Sequence, residues 1–250
     1  MKKASAPKTP KSKKQTKVAS EVVNAGTGDI RHSYIFGATF GLKQVTYSAI
    51  DGLAVFEGDI ILGSVEEMET IKESVENPDP QIEAAAVVSG SQFRWTDGVI
   101  PFEIDPALPN QQRVTDAINH LQANTNLRFP ARTTQPNWIR FQNGAGCSSR
   151  VGMVGGSQAI TIGTGCDWPR AVHEMCHSAG LWHEQSREDR DRFVTIHLDN
   201  VTVANRHNFD QHVTDGDDIG PYDYDSIMHY GRRDFAIDST KDTITPTPDP

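Results

Sequence analysis

The run "HEMCHSAGLWH", residues 173–183, constrains this chain more than any other feature. His173 and His177 are four apart, so on a helix both project from one face and both rings reach a single ion. Glu174 is angled away from that pair, placed for a metal-bound water rather than the metal. Gly180 ends the helix, because a residue free to adopt left-handed backbone angles turns the chain there at low cost. His183 then folds back as a third ligand. Upstream, Asp167 offers an N-cap with Pro169 in the first turn. Any fold must therefore supply a capped helix that stops at a glycine, and a return of the chain beneath it.

Three neutral imidazoles around Zn²⁺ leave one coordination position open for water, which is the pattern of a catalytic site rather than a closed structural one. Zinc lowers the pKa of such a water to about 7, and Glu174 is positioned to take its proton. Cys176 lies about 60° from His173 and about 100° from His177 on the helical wheel, at roughly 100° per residue. It flanks the metal face without lying on it. It reads as an inert thiol packed in the core, with metal ligation and a disulfide as the open alternatives.

A second signal is "SIMHY", residues 226–230, which places Met228 45 residues after His183. A methionine turn beneath three zinc histidines is the other mark of the metzincin group. Tyr230 is near enough in sequence to ligate the same ion, or to donate a hydrogen bond to the oxyanion of a tetrahedral intermediate.

The rest of the chain is one large domain, or one domain plus an extension, by its 250 residues. Seven of the 24 basic residues fall in the first twenty positions with no acid among them, leaving 17 against 33 acidic side chains elsewhere. Basic tail and acidic body are thus distinct. A lysine run can bind nucleic acid or membrane, but no aromatic-plus-basic patch accompanies it, so it reads as a solvated, disordered tail. No nucleic-acid partner is expected. No apolar run approaches the roughly 20 residues of a membrane span, and the N-terminus lacks the apolar centre of a secretory signal.

Around the Asp51-Gly52 turn, Tyr47, Ile50, Leu53 and Val55 suggest short strands. "EEMETIKESVENPDPQ" is helix-like and ends in an exposed linker with Pro78 and Pro80, so a domain cut is placed near residues 76–86. "FRWTDGVIPFEID" reads as a strand entering a new unit. Val114, Ile118 and Leu121 mark an amphipathic helix. "WIRFQ", "QAITIG" and "RFVTIHLDNV" read as strands, and "YDYDSIMHYGRRDF" as turn-rich.

At this point the sequence resembles the astacin family of metzincin peptidases. "EQSREDRD" after the third histidine and "SIMHY" are that family's versions of these motifs. "WTDGVIPFEID" is similar to the start of its catalytic domains, and "GCSSRVGMVGGSQAITIGTGC" to the segment before its zinc helix.

The resemblance implies an α+β fold: a twisted, mostly parallel sheet with an antiparallel edge strand, two long helices and an irregular lower subdomain, preceded by a pro-segment. It divides the chain into a basic tail (1–33), an inhibitory pro-segment (34–86) and a peptidase domain (87–250), with the upper subdomain ending at about 183. One zinc per chain would be held by His173, His177 and His183. Glu174 would be the general base, Tyr230 a mobile fifth ligand and oxyanion donor, and Met228 the turn under the metal.

Glu184 would meet the new N-terminus of the mature enzyme through a buried polar network. "FEGDI", residues 56–60, resembles the family's pro-segment motif, making Asp59 the ligand that displaces the catalytic water. Cys147 and Cys166 match one family disulfide. An activating protease would cut near residues 82–90. A peptide or protein substrate would lie extended along an edge strand built from residues 151–163. A monomeric, secreted enzyme is expected.

The sequence departs from the family in three ways. Partners for its second disulfide are missing, the chain stops at "TITPTPDP" where a C-terminally shortened lower subdomain is expected, and no signal peptide is visible. The rival expectation is a zinc-holding protein that does not catalyse, because that C-terminal part is missing.

Overall fold

The computed structural model describes residues 28–37, 41–77, 86–89, 91–211 and 218–247. Most of the tail and most of the expected cleavage region lie outside these residues.

The N-terminal segment is an antiparallel meander of β1 (Asp29–Gly37), β2 (Gly41–Ile50), β3 (Leu53–Phe56) and β4 (Ile60–Ser64), followed by helix α1 (Val65–Glu76). Asp51 and Gly52 both have positive φ, 49° and 80°, as a two-residue hairpin whose twist matches its strands requires. Ser64 and Glu67 close a capping box at the start of α1: Glu67 N–H donates to Ser64 Oγ, and Ser64 N–H to Glu67 Oε2. The basic tail was expected to run to residue 33, but β1 begins earlier, at Asp29. Arg31 pairs with Glu69 at 3.2 Å, and the buried Ser33 hydroxyl donates to the Met68 carbonyl, so these residues tie β1 to α1.

A short strand β5 (Ala86–Ser89) runs parallel to β1. Then comes the unit that carries the histidine motif. "FRWTDGVIPFEID" is strand only at β6 (Phe102–Ile104); 3₁₀ turns at Ser91–Phe93 and Thr96–Gly98 precede it. Helix α2 (Gln112–Asn124) buries Val114, Ala117, Ile118 and Leu121, the stripe its spacing predicts. Strands β7 (Trp138–Gln142), β8 (Cys147–Ser149) and β9 (Ser157–Ile162) follow, then helix α3 (Trp168–Ala179). β6, β7 and β9 are mutually parallel, and β8 lies antiparallel on β9.

This half matches the expected mostly parallel sheet with an antiparallel edge. The whole sheet is nevertheless mixed, because the Ile60–Ser149 pair joins β4 to β8 and gives the continuous order β5-β1-β2-β3-β4-β8-β9-β7-β6. The placement of the substrate edge at residues 151–163 is also corrected. β9 lies within that span and is internal, flanked by β7 and β8; taken without β4, this half of the sheet ends at β8 and β6. Helices α2 and α3 pack with the sheet around a core that includes Ile139, Phe141, Ile160, Ile162, Val172 and Met175.

Beyond residue 183 the described residues form mostly 3₁₀ turns and loops, with a two-stranded ribbon of β10 (Val194–Ile196) and β11 (Ile244–Pro246) among them. "RFVTIHLDNV" thus forms a strand over three residues only. Among the described residues, no helix is long and apolar enough to cross a membrane.

Candidate metal centre

Helix α3 is built as its sequence predicts. The Asp167 side chain accepts the Arg170 N–H, and proline sits in the first turn. Gly180 adopts φ 114° and its N–H donates to the last carbonyls, turning the chain back. The Cys147–Cys166 disulfide ties β8 to the loop entering this helix. The buried Arg113 guanidinium reinforces that loop by donating to the carbonyls of Ile162, Gly163 and Cys166. Nothing in the local sequence marks Arg113 for this role, since it sits on an otherwise ordinary amphipathic helix.

The three histidines converge. Their ligand atoms and a carboxylate oxygen of Asp59 all lie within 4.8 Å of one another, and all four side chains are buried. Two rings are oriented from within the same unit: His173 Nδ1 donates to the Ile227 carbonyl at 2.7 Å, and His177 Nδ1 to the Leu181 carbonyl at 2.8 Å. A carbonyl can only accept, so Nδ1 carries the proton and each Nε2 presents a lone pair inward. The His183 ring is oriented by Glu57 Oε2, 2.7 Å from Nδ1.

Asp59 comes from the turn between β3 and β4, where Glu57 and Gly58 both have positive φ, 45° and 84°. Its carboxylate stands 3.3 Å from His173 Nε2, 3.6 Å from His177 Nε2 and 3.3 Å from His183 Nε2. These distances exceed those of good N–H···O bonds. They suit four groups facing a common centre.

The charge balance agrees. Burial would raise the Asp59 carboxyl, but the His183 charge and the three imidazoles hold it well below the usual carboxylate range. Burial would lower His183, yet Asp59 and Glu57 outweigh it and push the ring up to about 10. Burial lowers His177. The paired carboxylate and imidazoles thus make a buried site whose electrostatics suit a cation. Three inward imidazole nitrogens with one carboxylate fit a single tetrahedral zinc ion.

The other expected site residues fall around this cluster. Glu174 is buried on α3 next to His173. Met228 is buried in the core that includes Cys176, and its carbonyl accepts the Glu184 N–H. The turn is therefore bonded both to the third-histidine segment and, through Ile227, to His173. Tyr230 is buried with its ring 4.9 Å from that of His183, and its hydroxyl donates to the Glu57 carbonyl. Gln185, fully buried, accepts the Tyr230 N–H at 3.0 Å. Glu184 is partly exposed rather than buried: its carboxylate accepts the Asp223 N–H at 2.9 Å and lies 3.5 Å from Arg187.

Sequence reasoning missed Glu57, Gln185 and Arg113. Glu57 and Gln185 had a signal, because they lie inside the quoted motifs "FEGDI" and "EQSREDRD"; Arg113 had none.

Cys176 is the free cysteine among the described residues, and it is buried in the core as the helical wheel suggests. Burial pushes its thiol up to about 11, helped by Glu174 and opposed by His173. Only the thiolate alkylates rapidly. The folded chain at pH 8 should therefore leave Cys176 unmodified by iodoacetamide over minutes, with the rate climbing only toward pH 11. Mass spectrometry of the intact chain reads this directly, and fast labelling at pH 8 would contradict the assignment.

Comparison with known proteins agrees with this geometry. The peptidase family described as Astacin matches residues 87–249. The chain is 38% identical over 194 residues to zinc metalloproteinase nas-37 of Caenorhabditis elegans, covering 76% of this chain and 25% of that protein. It is 35% identical over 197 residues to astacin-like metalloprotease toxin 1 of Loxosceles intermedia, covering 77% and 69%. The solved structure of high choriolytic enzyme 1, a hatching-enzyme zinc protease of Oryzias latipes, superposes with TM-score 0.58 at 37% identity over 63% of this chain and 81% of that one. With the family matched from residue 87 to residue 249, across both the zinc helix and the methionine turn, the chain belongs to the astacin family of peptidases.

Proposed function

We propose that the chain is a zinc endopeptidase made as a latent zymogen, with residues 34–86 as the inhibitory pro-segment. One observation carries this reading: the N-terminal segment delivers Asp59 into the same buried site as three inward-facing imidazoles. Bound there, zinc supplies Lewis acidity and a water acidified to a pKa of about 7.

The chain's own residues would do the rest. Glu174 takes the water's proton and returns it to the leaving amine. The Tyr230 hydroxyl, occupied by the Glu57 carbonyl in the uncut chain, is released when the segment leaves and donates to the oxyanion. Gln185 holds the Tyr230 backbone through both states. The substrate adds as an extended strand along β8, an edge on which Ser149 N–H now donates to the Asp59 carbonyl at 3.1 Å. Glu184 receives the new N-terminus, exchanging its present partners for an ammonium group.

The activating protease can be specified by chemistry. Between Lys72, inside α1, and Arg94 the chain has no lysine or arginine, and residues 84–88 read "AAAVV". An enzyme that cuts after small aliphatic residues suits this linker, and a trypsin-like one does not. The Cys147–Cys166 disulfide favours an extracellular enzyme, and we take it to act as a monomer.

The test is to purify the whole chain, measure zinc per chain, and assay casein cleavage before and after limited elastase treatment. One zinc per chain with cleavage only after treatment is expected. Zinc without cleavage once the segment is removed would leave a metal-holding protein that does not catalyse.

A further inference from the structure

Two of the three imidazoles in the metal cluster are oriented by carbonyls of their own unit, Ile227 and Leu181. The third is not. His183 Nδ1 bonds Glu57 Oε2, a group 126 positions away in the N-terminal segment. Glu57 is fully buried, and its second carboxylate oxygen accepts the Ser186 hydroxyl at 2.6 Å. A buried carboxylate is tolerated only when such donors satisfy it. The backbone at Glu57 sits at φ 45°, a conformation that side chains other than those of Gly, Asn and Asp usually avoid. The turn therefore aims Glu57 and Asp59 together: Asp59 faces His183 Nε2 at 3.3 Å while Glu57 grips Nδ1 of the same ring at 2.7 Å.

We propose that Glu57 is a positioning residue of the uncut chain: it supplies the orienting carboxylate of His183, and with it part of the zymogen's hold on zinc. This rests on reading the N-terminal segment as one that is later excised. A carboxylate on the far nitrogen of a metal-binding histidine fixes its tautomer and raises its basicity. Excision would remove Glu57 and Asp59 together, so maturation changes the metal's surroundings at two places rather than one.

The experiment measures zinc transfer from the loaded, uncut chain to a chromophoric chelator. Glu57→Gln keeps the shape of the side chain and removes its charge; Glu57→Ala removes both. Asp59 stays in place in each. Zinc affinity should fall about 10- to 100-fold in the Ala variant, the usual effect of losing such a partner, and less in the Gln variant. Ser48→Ala is the control: it breaks another contact of the same segment, Ser48 with His207 at 3.2 Å, and should hold zinc like the wild type.

The proposal is overturned if both Glu57 variants retain zinc as the wild type does, or if Ser48→Ala loses it equally, which would mark general loosening of the segment. Casein cleavage by the elastase-processed wild type is read in parallel. An inactive processed chain with Glu57-dependent zinc retention counts against the zymogen reading alone. An active one with no Glu57 dependence counts against Glu57 alone.

Discussion

Glu174→Gln should leave one zinc per chain and reduce casein hydrolysis by the processed protein about a thousandfold, within the 10²–10⁴ that a positioned acid–base group contributes. The separation of the two readouts follows from the placement of the residues. Glu174 is not among the four groups whose ligand atoms converge, so its loss does not subtract a metal ligand. It is buried on α3 directly after His173, so glutamine preserves volume and leaves the helix intact. What disappears is the ability to accept a proton. His177→Ala gives the contrasting pattern, since it deletes one of the three inward nitrogens and should lose zinc and hydrolysis together. Zinc content by atomic absorption and initial rates on the same preparations separate the two variants. A Glu174→Gln enzyme retaining more than about a tenth of wild-type rate would place the base elsewhere.

The parts of this centre that were legible in the sequence are those set by local chemistry. Asp167, Pro169 and Gly180 bracket α3, and spacings of four and six put the histidines where they are found. The disulfide between Cys147 and Cys166 was legible only through family resemblance, because cysteine spacing alone does not fix a pairing.

What was illegible depends on contacts between distant segments. β1 was partly read as tail because its buried face includes Ser33, which is satisfied by the Met68 carbonyl and not by apolar packing. The substrate edge was placed at residues 151–163, yet β9 within that span pairs with β8 on one side and β7 on the other, and such pairing between distant segments has no local signal. β8, where this half of the sheet meets β4, is only "CSS", too short and polar to read as a strand. Glu57 was visible beside Asp59, but no local rule reveals that its carboxylate reaches a ring 126 positions on.

Asp59→Ala in the uncut chain should raise hydrolysis of a short fluorogenic peptide about 10- to 100-fold over uncut wild type, while remaining below that of the processed enzyme. The estimate treats latency as an equilibrium between a segment seated in the cleft and one displaced from it. Removing a charge-assisted contact worth about 1.5–3 kcal/mol raises the displaced population by roughly that factor. Full activity is not expected, because the segment keeps other holds. The Ile60–Ser149 pair still lies on β8, Phe56 still packs edge-on to Trp182 with ring centres 6.2 Å apart, and the Tyr230 hydroxyl still donates to the Glu57 carbonyl. A short peptide should therefore gain more than casein, which needs the length of the β8 edge to be clear. Elastase treatment should then bring Asp59→Ala and wild type to the same rate, since residue 59 leaves with the segment. No gain in the uncut Asp59→Ala chain would mean that the covering strand, and not the carboxylate in the metal site, keeps the zymogen silent.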